Sequence, residues 1–63
     1  MPDYPRMNDK IGSAEVQAID QYGANLGVMK REAAMRLASE AGLDLVEISP
    51  HAAPVVCKLM QPR

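Results

Sequence analysis

The chain has 63 residues, of which 48% are hydrophobic and 24% are charged, and it contains neither Phe nor Trp. That length allows one small domain, and that composition is typical of a globular protein rather than a disordered one. Seven basic and eight acidic residues give a net charge of −1, which argues against a nucleic-acid binder acting alone, because such proteins are usually strongly basic. The single cysteine excludes an internal disulfide.

The N-terminal residues 1–13 carry two prolines, one glycine and two charges of each sign, without a hydrophobic period. We interpret them as a flexible arm, anchored through Ile11 to a domain of residues 14–60. They lack the apolar stretch of a signal peptide, and no apolar run in the chain reaches the ~20 residues of a membrane span. Cytoplasm is therefore the expected location. Residues 61–63 are interpreted as the start of a linker or the end of an isolated domain.

Two short strands joined by a turn follow the arm. Residues 14–20 alternate, with Val16 and Ala18 on one face, which predicts a strand. The sequence DQYGAN, residues 20–25, is rich in turn-forming residues. Apolar residues then recur within residues 26–29, which indicates a second strand and hence a hairpin.

Residues 30–41 show the clearest helical pattern in the chain. Their apolar residues recur at i, i+3, i+4 and i+7 and predict one buried stripe: Ala34, Leu37, Ala38 and Ala41. Gly42 suits the position just after a helix. At the other end, Lys30 and Arg31 lie where a capping side chain is expected, and their charge opposes the helix dipole.

Residues 43–49 and 55–60 predict two more strands, separated by a loop of residues 50–54 that has a proline at each end. The element order is therefore ββαββ. A right-handed crossover through the helix onto a small mixed sheet gives a two-layer α+β domain.

No catalytic constellation stands out. His51 and Cys57 would need to meet across the loop to form a thiol–imidazole pair, and a lone cysteine on an apolar strand is more often a packing residue. Asp44 and Glu47 have an odd separation on a strand, so their side chains point to opposite faces. The glycines have no spacing that fits a phosphate-binding loop. We therefore predict no enzyme, no cofactor and no metal site.

The positive charges are unevenly distributed along the chain. They gather on the arm, on the helix and in the C-terminal segment, whereas the acidic residues outside the arm and the helix belong to the strands. This pattern fits an ordinary solvated surface, and it also fits a local basic patch that contacts phosphates.

The most specific feature is the segment AGLDLVEISPHAAPVVCKLM, residues 41–60. It strongly resembles the N-terminal domain of bacterial translation initiation factor 3, whose members typically read A-G-hydrophobic-D-L-V-E-I-S-P-N-A-x-P-P-V-C-K/R-hydrophobic-M at this point. The resemblance covers roughly residues 6–60. Further matching positions upstream are Arg6, Asn8, Ile11, Val16, Gly23 and Leu26-Gly27-Val28.

Three positions depart from the family pattern. His51 stands where Asn is usual, Val55 where a second Pro is usual, and Lys30 where Ser commonly caps the helix. The family also continues with an Asp-Tyr-Gly-Lys stretch, a long helical linker and a second, RNA-binding domain, whereas residues 61–63 read QPR here. We expect the chain to be one domain of a longer protein or a short relative.

The resemblance implies a β-grasp-like four-stranded mixed sheet with one helix packed on it. It also implies a role on the small ribosomal subunit, with rRNA and ribosomal proteins as partners. Members of the family keep the large subunit from joining early and help to select initiator tRNA and the start codon. Their C-terminal domain, missing here, supplies most of the affinity. We expect a monomer without membrane contact.

Local cations are the expected phosphate contacts, and Asn8 either hydrogen-bonds RNA or stabilises a turn. The candidate RNA- or ribosome-binding residues are Arg6, Asn8, Lys10, Lys58 and Arg63, followed by Lys30, Arg31 and Arg36 on the helix.

An alternative class of function is a β-grasp module that binds only protein, through an exposed strand edge or a Met-rich face. The chain has five methionines, which suit either an adaptable contact surface or, more commonly, gaps in a core without Phe and Trp.

Overall fold

The computed structural model describes residues 7–61. The elements in chain order are a 3₁₀ turn (Asn8–Lys10), β1 (Glu15–Ile19), β2 (Asn25–Lys30), α1 (Arg31–Glu40), β3 (Asp44–Ser49) and β4 (Val55–Met60). The predicted ββαββ order is therefore confirmed. Within residues 7–61, no helix has the length and hydrophobicity needed to cross a membrane.

The four strands form one mixed sheet in the order β2-β1-β4-β3. β1 is antiparallel to β2 and parallel to β4, and β4 is antiparallel to β3. The last strand therefore lies in the middle of the sheet beside the first, and α1 connects the two outer strands. One helix on a four-stranded mixed sheet is the α+β architecture predicted from the sequence.

The core lies between α1 and one face of the sheet. Val16 and Ala18 of β1 are fully buried, because alternate residues of a strand point to the same side. The register extends this face to Cys57, which pairs with Ala18, and to the cross-strand pair Leu45 and Leu59. The buried core residues are Ile11, Val16, Ala18, Ala34, Ala38, Leu45, Cys57 and Leu59.

The predicted buried stripe of α1 is wrong in half of its members. Ala34 and Ala38 are buried, but Leu37 is 38% exposed and Ala41 is exposed beyond the helix end. Met35 packs partly against the core instead, and Arg31 at the first helical position is half-buried. The inward stripe is therefore residues 31, 34, 35 and 38, rotated by about 60° from the prediction. The same spacing fits both stripes, and packing on the sheet selects one.

The C-terminal end of α1 confirms the role predicted for Gly42. The N–H of Leu43 donates to the carbonyl of Ala38 at 2.8 Å, and the N–H of Gly42 donates to the carbonyl of Ser39 at 3.1 Å. These two bonds form a Schellman motif, in which the residue after the cap takes a left-handed conformation. Gly42 has φ +72°, which suits a residue without a Cβ atom.

Residues 7–14, which we call the N-terminal strap, are packed on the body of the domain. Met7 forms an isolated antiparallel bridge with Val46 of β3, and Ile11 is fully buried. The anchoring role predicted for Ile11 is confirmed. Met7 and Asn8, which belong to the predicted arm, also contact β3, and residues 1–6 of that arm lie outside the described residues. The strap covers the outer edge of β3. Within the described residues β2 pairs only with β1, so β2 is the open edge of the sheet.

Candidate nucleic-acid interface

The eight residues predicted to contact RNA or the ribosome lie in several parts of the molecule. Arg6 and Arg63 fall outside the described residues 7–61. The other six divide into two that bond within the protein and four that have solvent-accessible side chains on different surfaces. The structure therefore does not join these six into one basic patch.

Asn8 makes hydrogen bonds within the fold. Its Oδ1 accepts the backbone N–H of Leu45 at 2.9 Å, and its Nδ2 donates to Oδ1 of Asp44 at 3.3 Å. Its backbone has φ +52°, a left-handed conformation that Asn tolerates better than most residues. The amide therefore attaches the strap to the start of β3, which favours the turn-stabilising interpretation.

Arg31 ties the helix to the strap. Its Nη1 donates to the carbonyl of Ile11 at 2.6 Å, and its backbone N–H donates to the carbonyl of Ala14 at 2.8 Å. The side chain is only 26% exposed, and its pair with the exposed Glu32 spans 3.4 Å. These bonds explain why a cation occupies a helix start that has no capping side chain. Arg31 positions the strap rather than presenting a free charge.

Lys30 and Lys58 lie on the outer face of the sheet, opposite the helix. Val16 and Ala18 point toward the core, so alternation places Glu15 and Ile19 on the outer face. Lys30 pairs with Glu15 and Lys58 pairs with Ile19. The two lysines are therefore separated by four residues along β1, or about 13 Å. That distance exceeds the Debye length of about 8 Å at physiological salt, so each lysine acts as a separate contact.

The remaining two cations lie elsewhere. Lys10 is exposed in the 3₁₀ turn, and Arg36 is exposed in the middle of α1. Arg36 belongs to the side of the domain that carries the helix, and the turn of Lys10 contacts both α1 and β3, whereas Lys30 and Lys58 belong to the outer face of the sheet. Sequence reasoning grouped these residues by charge, and the fold separates them.

Two of the candidate cations line clefts. Lys30 lines one of about 570 Å³ together with the carboxylates of Glu15 and Glu32. Lys58 lines one of about 440 Å³ at the end of the sheet where the β1–β2 turn meets the end of β4. We call this the hairpin cleft. Its lining residues are Gln21, Tyr22, Leu43, Lys58, Leu59, Met60 and Gln61. Our sequence analysis missed Tyr22, although a tyrosine in a turn sequence of a chain with only two aromatic residues was a usable signal.

The thiol and carboxylate candidates do not form a reactive group. Cys57 is fully buried, and burial raises the pKa of its thiol from 9.0 to about 11, with a smaller contribution from the Glu47 carboxylate. The thiol is therefore protonated at neutral pH and a poor nucleophile. Asp44 pairs with Met60 on the outer face and Glu47 with Cys57 on the core face, which confirms their opposite orientations. Among residues 7–61, no three His, Cys, Asp or Glu side chains cluster as metal ligands do.

The chain is similar in sequence to a known protein family. The family described as "Translation initiation factor IF-3, N-terminal domain" matches residues 7–62. The chain belongs to this family. The matched range starts at the first residue of the strap, so it contains the strap as well as the sheet and the helix. The resemblance drawn from residues 41–60 is confirmed.

Individual relatives agree with the family match. Translation initiation factor IF-3 from Xanthobacter autotrophicus is 59% identical over 58 residues, which cover 92% of this chain and 33% of the relative. Those from Azorhizobium caulinodans and Bradyrhizobium diazoefficiens are 57% and 53% identical, with the same share of this chain and 33% and 32% of the relatives covered. The chain thus spans about one third of the length of these IF-3 proteins.

Proposed function

We propose that this chain acts as a translation initiation factor domain that binds the small ribosomal subunit. In that position it helps to keep the large subunit from joining early and contributes to the selection of initiator tRNA and the start codon. The observation that supports this function is the match to the IF-3 N-terminal domain across residues 7–62. The chemistry proposed is binding, without a catalytic step.

The charges of the domain predict weak binding by the domain alone. The net charge is −1, and the exposed cations lie on two faces of the domain. Few of them can therefore contact phosphates at one time. The relatives are about three times as long as this chain. A second domain on the same polypeptide raises the effective concentration of this one at the ribosome, so a few contacts suffice.

The phosphate contacts that we propose are Lys58 first, then Lys10, Lys30 and Arg36. Asn8 and Arg31 support binding indirectly, since both hold the strap in place through bonds inside the protein. Arg6 and Arg63 remain candidate contacts by sequence alone.

The test is a titration of purified small ribosomal subunits with three labelled proteins, followed by fluorescence anisotropy. These are the present chain, the remaining two thirds of the Xanthobacter autotrophicus IF-3, and a fusion of the two. The fusion should bind at least 100-fold more tightly than the present chain, and more tightly than the two-thirds fragment. Binding of all three should weaken as salt rises from 50 to 200 mM.

The same proteins serve a functional readout. Light scattering should show that the fusion slows the joining of large subunits more than the two-thirds fragment does. A fusion that matches that fragment in both affinity and joining rate would contradict the proposed function.

A protein-binding module remains a second candidate because of the open edge of the sheet. Val28 is 55% exposed and Leu26 is 41% exposed on β2, and an exposed strand edge can add a strand from a partner. Val28→Asp should then abolish binding to small subunits, while Lys58→Ala should leave it unchanged. If the domain contacts RNA instead, Lys58→Ala should weaken binding more than Val28→Asp does.

A further inference from the structure

Tyr22 is the sole Tyr, Phe or Trp among the described residues, and it lies outside the core. It is 86% exposed, the highest value among the large hydrophobic side chains described. An aromatic ring is a large contributor to a core, and none of the core residues within residues 7–61 is aromatic. Its placement in solvent is therefore not explained by folding.

The turn that carries Tyr22 is well ordered by hydrogen bonds. Oδ1 of Asp20 accepts the N–H groups of Tyr22 and Ala24, each at 2.8 Å. The N–H of Gly23 donates to the carbonyl of Asp20 at 3.0 Å, and Gly23 takes φ +93°. A side chain presented by such a turn loses less conformational freedom on binding than one on a loose loop. The turn thus fixes the backbone at Tyr22, and Nε2 of Gln21 donates to the Tyr22 hydroxyl at 3.4 Å.

The hairpin cleft places a cation and two amides beside this ring. Lys58 stands between Ile19 and Val46 in the sheet, so its alkyl stem packs on neighbouring strands while its ammonium reaches solvent. Among residues 7–61, Lys58 takes part in no ion pair. Gln21 and Gln61 line the same cleft, and each side-chain amide can both donate and accept hydrogen bonds.

We propose that the hairpin cleft binds one unpaired nucleotide of an RNA strand. The base stacks on Tyr22, the adjoining phosphate contacts Lys58, and the amides of Gln21 and Gln61 bond to the base edge. This inference rests on the proposed RNA-facing function and adds a site and a ligand class to it. The ligand is a single-stranded segment because a base in a duplex has no free face to stack on a side chain.

The charges around the cleft indicate that stacking supplies most of the affinity. Among the described residues that line it, Lys58 alone is basic, and the carboxylates of Asp20 and Asp44 lie on neighbouring positions of the same end of the sheet. An acidic peptide or a free phosphate would meet a single cation there and gain little from the ring. For a strand that contacts one phosphate, the slope of log K against log salt should be about −0.7.

The test uses the whole ¹⁵N-labelled chain and an oligoadenylate of about ten nucleotides, followed by NMR. Saturable amide shifts should be confined to the two ends of the hairpin cleft, residues 21–23 and 58–61. Tyr22→Ala should weaken binding about tenfold, while Tyr22→Phe retains it because the ring remains. The same oligonucleotide annealed to its complement should bind more weakly.

Lysine variants separate the cleft from the rest of the outer face. Lys58→Ala should reduce the salt slope by about 0.7. Lys30→Ala removes the same charge from the same face outside the cleft, and should leave cleft binding unchanged. Shifts centred elsewhere, an unaffected Tyr22→Ala variant, or tighter binding of the duplex would each overturn the proposal.

Failure of the hairpin-cleft proposal and failure of the proposed function give different results. A fusion that binds small subunits, combined with no oligonucleotide effect of Tyr22→Ala, would overturn the cleft alone. Oligonucleotide binding at the cleft by a chain whose fusion does not bind small subunits would support the cleft and overturn the proposed function. An NMR spectrum that is unchanged away from the hairpin shows that each variant remains folded. For the Tyr22 variants we expect this, because the side chain is 86% exposed.

Discussion

The N-terminal strap and the hairpin cleft use the same kinds of polar side chain in opposite ways. At the strap, the amide of Asn8 and the guanidinium of Arg31 bond to backbone groups of Leu45 and Ile11. Their bonds join a segment without regular strand or helix pairing to the body of the domain.

At the hairpin cleft, the side chains of Tyr22 and Lys58 face outward instead. The neighbouring backbone groups already bond within the sheet, and the carboxylate of Asp20 accepts the N–H groups of Tyr22 and Ala24 in the turn. The ring and the ammonium are therefore available to a ligand. The backbone groups beside a cation or an amide therefore determine whether it contributes to stability or to binding, and its charge alone does not predict which.

The largest loss of stability is expected from a substitution that weakens the packing of the strap on the body of the domain. Ile11→Ala removes a fully buried side chain and should lower the free energy of unfolding by about 3 kcal/mol. For a domain of this size that loss is a large fraction of the total stability. Urea denaturation followed by circular dichroism measures it. Val28→Ala, an exposed aliphatic truncation on β2, should change stability by less than about 0.5 kcal/mol, and equal losses in the two variants would show that the strap is dispensable.

A matched pair of arginines gives the next largest effect. Arg31→Ala and Arg36→Ala remove the same charge from the same helix, but only Arg31 bonds to the strap. Arg31→Ala should cost about 2 kcal/mol, because it leaves the Ile11 carbonyl without its charged donor, while Arg36→Ala should be nearly neutral. Thermal and urea unfolding compare them. Equal losses of stability in the two variants would contradict the inference that Arg31 holds the strap while Arg36 makes no stabilising contact within residues 7–61.

A smaller, pH-dependent effect tests the core between the two regions. The pKa of the Cys57 thiol is raised to about 11 in the folded protein, so the unfolded chain loses this proton at a lower pH than the native one. The thiol's contribution to stability is therefore complete below pH 9 and is lost as pH rises toward 11. Urea unfolding across this range should show a steeper alkaline loss for the wild type than for Cys57→Ala.

Labelling kinetics check the same residue independently. Iodoacetamide at pH 8 should modify Cys57 slowly in the native protein and rapidly in urea. Rapid labelling of the native protein would show that the thiol is accessible, and it would reopen the question of a reactive cysteine.

Local sequence signals predicted the elements well, because turns and strand alternation depend on neighbours in the chain. The turn DQYGAN and the stop at Gly42 both occur where expected, and the strand that follows Gly42 starts within one residue of its prediction. The helix stripe failed at Leu37, since two stripes with identical spacing are available and only contact with the sheet distinguishes them. The anchor at Ile11 was predicted, but the bonds that Asn8 and Arg31 make to hold the strap were missed, because their partners lie 37 and 20 residues away along the chain.

The ββαββ order, the two-layer class and the family were predictable from the residues alone, since these depend on local periodicity, turn chemistry and the run of residues 41–60. Which cations are free depends on how distant segments pack in three dimensions. Strand register brings residues 21–22, 43 and 58–61 into one cleft, and helix rotation turns Arg31 toward the strap while Arg36 stays in solvent. Register and rotation are fixed by packing between distant segments, and no local pattern contains that information.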